Sequence, residues 1–255
     1  MNENYRTFFG FETEPFASDI ALSDILKTDN LMGVNDRFSY TVRLGGVAIV
    51  TGNIGSGKST ALRHAIGQLH PSEYQTMNIS ASSESILELY RQILSELAMN
   101  MSSSSRALMT GRIKREIAER VQNKNMKAVL VIDEASLLRL EVFRELPTLS
   151  QFNQDTSSWL PLILSGQLMY RDSRPLASRI VARSHLEGSN REDMEKYRVK
   201  SNLFDESAIT AIHQGAGGLF TKANHLARGS LIAASAVKSM TVTAEHVRLA
   251  STEIF

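Results

Sequence analysis

Two short stretches hold residues whose types and spacing suit phosphate chemistry. The first is Gly52-Asn53-Ile54-Gly55-Ser56-Gly57-Lys58-Ser59-Thr60, which fits G-x-x-x-x-G-K-[ST] at every required position. Its glycines let backbone N–H groups turn inward around an anion without Cβ clashes. Lys58 is placed to reach the β- and γ-phosphates of a nucleoside triphosphate, and the Ser59 hydroxyl to ligate Mg²⁺. The second is Asp133-Glu134-Ala135, which closes the apolar run Ala128-Val129-Leu130-Val131-Ile132. There Asp133 would hold the Mg²⁺ shell, while Glu134 would orient and deprotonate an attacking water.

Such residues work only if the chain positions them. Val47-Ala48-Ile49-Val50-Thr51 reads as a buried strand and Thr60 to Ile66 as a helix, so the glycine-rich stretch has a strand–loop–helix setting. A helix beginning there points its positive end at the same anion. Tyr74 to Ile79 reads as a second strand, opened by the turn at Pro71-Ser72. Helices are expected over 83–99 and 107–123. The second carries Arg112, Lys114, Arg115 and Arg120, either as a solvated face paired with Glu116 and Glu119 or as a phosphate-contacting stripe.

Leu160-Pro161-Leu162-Ile163-Leu164 gives a fourth strand ending at Ser165-Gly166-Gln167. A polar side chain at that strand end touches the γ-phosphate or the water, or else makes a plain turn. Beyond it, Arg179 and Arg183 stand four apart, on one helix face or flanking a short turn. From residue 190 onward apolar runs give way to amphipathic helical segments over 192–201, 205–215, 221–238 and 244–254. Asp205 and Thr243 are placed to cap two of them.

At the other end, residues 1–45 hold Tyr5, Phe8, Phe9, Phe11 and Phe16. Most of these rings are expected to pack onto the domain, while Pro15-Phe16 could also wall an adenine pocket. Phe38, Val42 and Leu44 fall on one helical face. The expected organisation is a lead-in segment over 1–45, an α/β domain over 46–188 and a helical lid over 189–255, with a linker near 186–191.

Composition narrows the setting. The 255 residues are 42% hydrophobic and 22% charged, with net charge +1, ordinary for a globular chain. The absence of Cys excludes disulfides, thiolate zinc sites and cysteine nucleophiles. No stretch approaches the ~18 apolar residues of a membrane span, and the start lacks the apolar core of a signal peptide. A cytoplasmic protein without a membrane partner is expected.

These elements in this order resemble the AAA+ ATPases, which implies a parallel-sheet core followed by a small helical lid. The resemblance narrows to the ExeA-type group through Phe9-Gly10-Phe11 with Pro15-Phe16, through Thr51 to Thr60, and through Val131 to Ala135. Leu164-Ser165-Gly166-Gln167 and Ser178-Arg179-Ile180 fit it as well. The group includes a type II secretion ATPase and the helper ATPases of DNA transposons, similar to TniB, TnsC and MuB. Secretion members continue into a membrane span and a cell-wall-binding domain, so a chain ending at Phe255 is expected on the transposition branch.

That resemblance implies ATP and Mg²⁺ as ligands, with double-stranded DNA, a transposase and copies of the same chain, in a ring or filament, as partners. It assigns Ser165 or Gln167 to sensor 1 and Arg179, less directly Arg183, to the arginine finger. Where the group has Arg in a G-x-x-R-x-x-N segment, this chain has Thr221, followed by Lys222. The lid's direct contact with the γ-phosphate is thereby removed from Thr221, and slow turnover with ATP acting as an assembly switch is expected. Arg106, Arg112 and Lys114 are the candidate contacts to the DNA backbone. A secretion or envelope-assembly ATPase acting on protein partners is the alternative.

Overall fold

The computed structural model describes residues 5–17, 19–82, 85–100, 103–152, 158–167, 174–196 and 203–254. Along the chain come α1 (Tyr5–Phe9), α2 (Asp29–Leu44), β1 (Val47–Gly52), α3 (Lys58–Gly67) and β2 (Tyr74–Ser80). They are followed by α4 (Ile86–Glu96), α5 (Arg106–Lys124), β3 (Lys127–Asp133), α6 (Leu140–Ser150), β4 (Leu162–Ser165) and α7 (Arg174–Ala177). The last elements are β5 (Ile180–Leu186), α8 (Arg191–Lys196), α9 (Glu206–Ala216), α10 (Phe220–Ala236) and α11 (Ala244–Ile254).

The chain divides into two compact units. One, comprising 29–52 and 58–185, is the sheet unit. Its five strands run in the order β2-β3-β4-β1-β5, and β2–β3, β3–β4 and β4–β1 pair in parallel. The inner strands are continuous apolar runs because helices cover both faces of a parallel sheet. Val129, Leu130, Ile132, Ile163 and Leu164 are all but inaccessible to solvent. Pro161, which has no N–H to give a ladder, delays β4 to Leu162, while its carbonyl accepts from the Leu130 N–H at 3.0 Å. Phe38 and Val42 of α2 are buried, whereas Leu44 is 51% exposed and does not share their face.

Arg179 and Arg183 do not share a helix face. Arg179 lies in the turn before β5, and Arg183 is within that strand, where Ala182, Ser184 and Leu186 point inward and Val181, Arg183 and His185 outward. The period-2 alternation of an edge strand, with small and polar residues on its inner face, replaces the helix or turn expected there.

The second unit comprises 1–28, 53–57 and 186–255. Its core gathers Ala208, Ile209, Ile212, Ala223, Leu226, Ala227, Leu231 and Val247 from α9, α10 and α11. Phe9 joins this core, and Tyr5, Phe8, Phe11 and Phe16 pack against it, as expected for rings that pack onto a domain. Asp205 caps α9 by accepting from the Ala208 N–H at 2.7 Å. The Thr243 N–H donates to His246 Nδ1 at 3.0 Å at the start of α11, so a histidine takes the acceptor role that a capping box gives to Glu or Gln. The 1–45 stretch is therefore shared: residues 1–28 fall with the C-terminal helices, and α2 with the sheet.

Candidate functional site

Register brings the chemistry-bearing residues of the sheet unit to one edge. Val50 pairs with Ser165, Ile132 with Leu164, and Ser80 with Asp133. Gly52, Ser165 and Asp133 thus close three neighbouring strands, β1, β4 and β3, at their carboxyl ends, where open α/β sheets bind ligands.

Lys58 opens α3 and is 5% exposed, with Nζ donating to the Gly52 carbonyl at 3.0 Å. Ser59 is exposed and Thr60 half-buried on the same first turn. Residues 53–57 belong to the helical unit. Asn53 and Ile54 are exposed, whereas Ser56 is fully buried. Gly55 has φ +83, and a Cβ there would lie 3.0 Å from Thr221 Cβ and Oγ1. The Thr221 N–H donates to the Gly55 carbonyl at 3.3 Å.

The β3 end has its own geometry. Asp133 Oδ1 accepts from the Glu134 N–H at 2.9 Å. Glu134 is left-handed, φ 51 and ψ 33, a conformation uncommon for a residue with a Cβ and enriched where backbone strain serves function. It turns the chain from the strand into a 3-10 turn over Ala135–Leu137. At the neighbouring strand end Gly166 has φ +153, and a Cβ would fall 2.9 Å from the Ser136 N. Only glycine allows the β4 end to approach the segment after Glu134 so closely. Ser165 is fully buried, and Gln167 is exposed.

The donor set fits a magnesium nucleotide. The hydroxyls of Ser56 and Ser165 are buried without a partner among the described residues, and left-handed glycines line the loop. Ser59 and Asp133 would hold the Mg²⁺, which supplies Lewis-acid charge neutralisation at the phosphates when bound. Lys58 offers a cation and Glu134 a carboxylate base; no group of three or more potential metal-ligating side chains exists among the described residues.

The remaining candidates are dispersed. Arg179 donates to the Pro175 carbonyl at 3.1 Å. Phe16 has φ 57; its ring meets Phe204 edge-on at 6.1 Å, and its carbonyl accepts from Arg228 at 2.8 Å. Lys222 is exposed beside Thr221. Arg106, Arg112 and Lys114 lie on α5 but do not share a face. Arg106 pairs with Glu145 at 2.8 Å. Arg112 pairs at 3.0 Å with the buried Glu116, which also pairs with Arg120. Lys114 Nζ donates to the Gln151 carbonyl at 2.9 Å and lies 5.9 Å from the Phe152 ring centre. Burial lowers its pKa.

Two participants were not legible as such in the sequence. Thr221 contributes its backbone N–H, which no side-chain pattern announces. Thr51, just before Gly52, donates its hydroxyl to the Ser184 carbonyl at 3.2 Å and meets His185 Nδ1 at 2.9 Å; that contact exists only because β5 is a strand.

Comparison with known proteins sets these features in context. The family described as AAA domain matches residues 42–172, just over half of the chain. General secretion pathway protein A of Aeromonas hydrophila is 26% identical over 265 residues, covering 98% of this chain and 48% of that protein. The chain thus spans about half the length of the curated relative it matches. Cdc6p of Pyrobaculum aerophilum has a similar structure, with a TM-score of 0.70 at 15% identity, covering 98% of this chain and 71% of the other. Drosophila ORC, solved bound to DNA, gives 0.61 at 15%, covering 98% and 72%. RuvB of Thermotoga maritima, a Holliday junction branch migration motor, gives 0.60 at 14%, covering 94% and 73%. Identities this low speak for the fold alone. No helix among the described residues is long and apolar enough to cross a membrane.

Proposed function

The chain belongs to the AAA domain family, has the fold of AAA+ phosphate-loop ATPases, and from that premise we propose that it is an ATP-dependent assembly switch on DNA. Its family and fold support ATP hydrolysis as the activity. In this reading Lys58 and the 53–57 loop bind the triphosphate, Ser59 and Asp133 hold Mg²⁺, and Glu134 takes the proton of the attacking water. Ser165 or Gln167 orients that water, and Arg179, or Arg183 on β5, completes the site of a neighbouring copy. Copies assemble on duplex DNA without sequence preference and recruit or regulate a transposase.

The observation that carries this reading is the convergence of Gly52, Ser165 and Asp133 at the carboxyl ends of three neighbouring strands of the sheet unit, with the buried Lys58 opening the helix that follows the first of them. The DNA part draws support from the structures it resembles, one of them solved on DNA. Arg106, its side chain 53% exposed, is the foremost phosphate contact, whereas the Lys114 ammonium is committed to the Gln151 carbonyl.

The test is binding of the purified protein to random-sequence duplex with ATP, with ADP and without nucleotide, alongside Lys58→Ala, over a salt titration. ATP-dependent binding that the variant loses and that weakens steeply with salt is the expected result. Absence of DNA binding under every condition sinks the DNA reading. It would favour the second reading, an ATPase of secretion or envelope assembly acting on protein partners, which the 98% coverage of this chain by the secretion pathway relative supports.

A further inference from the structure

At the root of the phosphate loop, the end of β1 is held from two sides. On one, the Gly166 N–H at the end of β4 donates to the Val50 carbonyl at 3.1 Å. On the other lies β5. The Val47 N–H meets the Arg179 carbonyl at one end of this pair, and Thr51 meets Ser184 and His185 at the other. Thr51 is the last side chain before the loop, because Gly52 has none. It is half-buried, and its hydroxyl lies 3.2 Å from the Ser184 carbonyl and 2.9 Å from His185 Nδ1.

A hydroxyl has one proton to give and lone pairs with which to accept. Both contacts are therefore made together when Thr51 donates to the Ser184 carbonyl and the His185 Nδ1–H donates to Thr51. What this clamp fixes is the peptide that follows. The Gly52 carbonyl accepts from Lys58 Nζ at 3.0 Å, so the end of β1 seats the buried ammonium that binds triphosphate in the function proposed above, on which this inference rests. Thr51, Gly52, Lys58 and His185 all belong to the sheet unit. His185 is exposed, so its ring adds little to the core, and its bond to Thr51 ties it to the loop root.

We propose that His185 is a positioning residue for phosphate binding: acting through Thr51, it holds the end of β1, and with it the Gly52 carbonyl and Lys58, in the geometry that receives the triphosphate. It touches neither nucleotide nor metal. A loop root fixed before the ligand arrives need not be ordered on binding, and preorganisation of this kind strengthens affinity by removing that cost. The clamp is the same before and during the reaction. It therefore acts on ground state and transition state alike, and its loss weakens binding while leaving kcat unchanged.

The test is equilibrium titration of fluorescent ATP, with kcat measured at saturating unlabelled ATP and folding checked by thermal melting. It is run on the wild type, His185→Ala, Thr51→Val, the double variant and His185→Asn. One net hydrogen bond is worth about fivefold in affinity, so each single loss should raise the dissociation constant by about that factor with kcat unchanged. The double variant should bind as Thr51→Val does, because both changes break the same bond. Asn offers an amide donor near the place of Nδ1 and should restore affinity. Thr51→Val keeps the comparison open should His185→Ala fail to fold. A folded His185→Ala or Thr51→Val with wild-type affinity, a double variant whose losses add, an Asn variant no better than Ala, or a loss of kcat in place of affinity overturns this assignment and leaves the ATPase reading intact. A wild type that binds no ATP overturns the ATPase reading itself.

Discussion

The backbone N–H of Thr221 donates to the carbonyl of Gly55, so the first turn of α10 and the phosphate loop share a hydrogen bond. The same two residues are in close steric register: a Cβ at Gly55 would sit 3.0 Å from Thr221 Cβ. Gly55→Ala therefore meets two obstacles, a left-handed φ and a crowded neighbour. The strain is about 1–3 kcal/mol, so ATP affinity should fall roughly tenfold or more. Pairing it with Thr221→Gly relieves only the crowding, and partial recovery is expected in a titration with labelled ATP. Unchanged affinity in the single variant would show that the loop tolerates a side chain there.

Glu134 separates stability from chemistry. Its φ of 51 suits glycine without steric cost, while the proposed reaction needs its carboxylate. Glu134→Gly should raise the melting temperature and abolish turnover, a trade between stability and activity of the usual kind. Glu134→Gln keeps the side-chain shape; it should retain ATP binding and lower hydrolysis by about 10²–10⁴-fold, the usual contribution of a general base. Phosphate release and melting curves on the same preparations decide it. A Gln variant with wild-type turnover removes Glu134 from the mechanism.

Much of this site was legible because its parts are local. The glycine-rich loop has a fixed spacing after an apolar run, and Asp133-Glu134 ends another, so strand and carboxylates announce each other. Signals failed where tertiary pairing overrides local pattern. Ile180-Val181-Ala182-Arg183-Ser184-His185 has neither a long apolar run nor a helical stripe. It becomes a strand through its place beside β1, begun by the Val47 N–H donating to the Arg179 carbonyl at 3.0 Å. Leu44 matched a helical period but came out exposed, one turn short of the chain's entry into β1. The Thr221–Gly55 hydrogen bond uses backbone atoms, which carry no sequence signature.

Thr221 also bears on rate. Its side chain has no positive charge to set against a γ-phosphate, and the neighbouring Lys222 is exposed. Basal hydrolysis is expected to be slow, and Thr221→Arg should raise the rate of phosphate release more than it raises ATP affinity, because charge developing in the transition state is stabilised most. Single-turnover measurements with and without DNA check this. A fast basal rate in the wild type contradicts the slow-switch reading.

Lys114 and Arg106 make opposite predictions for DNA. The Lys114 ammonium is already committed to the Gln151 carbonyl, whereas the Arg106 side chain is 53% exposed beside Glu145. Arg106→Ala should reduce the slope of log affinity against log salt by about one, and Lys114→Met should leave it unchanged. Stability follows the reverse pattern. Burial lowers the Lys114 pKa in the folded chain, so between that value and the ordinary lysine value the unfolded chain binds more protons and stability rises with pH. Below that alkaline window the protonated folded form carries the burial penalty in full. Lys114→Met removes the titrating group and should flatten the alkaline rise in denaturant midpoint, while Arg106→Ala should not. A Lys114 variant that loses a unit of salt slope would place this side chain on the DNA and contradict its assignment to the Gln151 carbonyl.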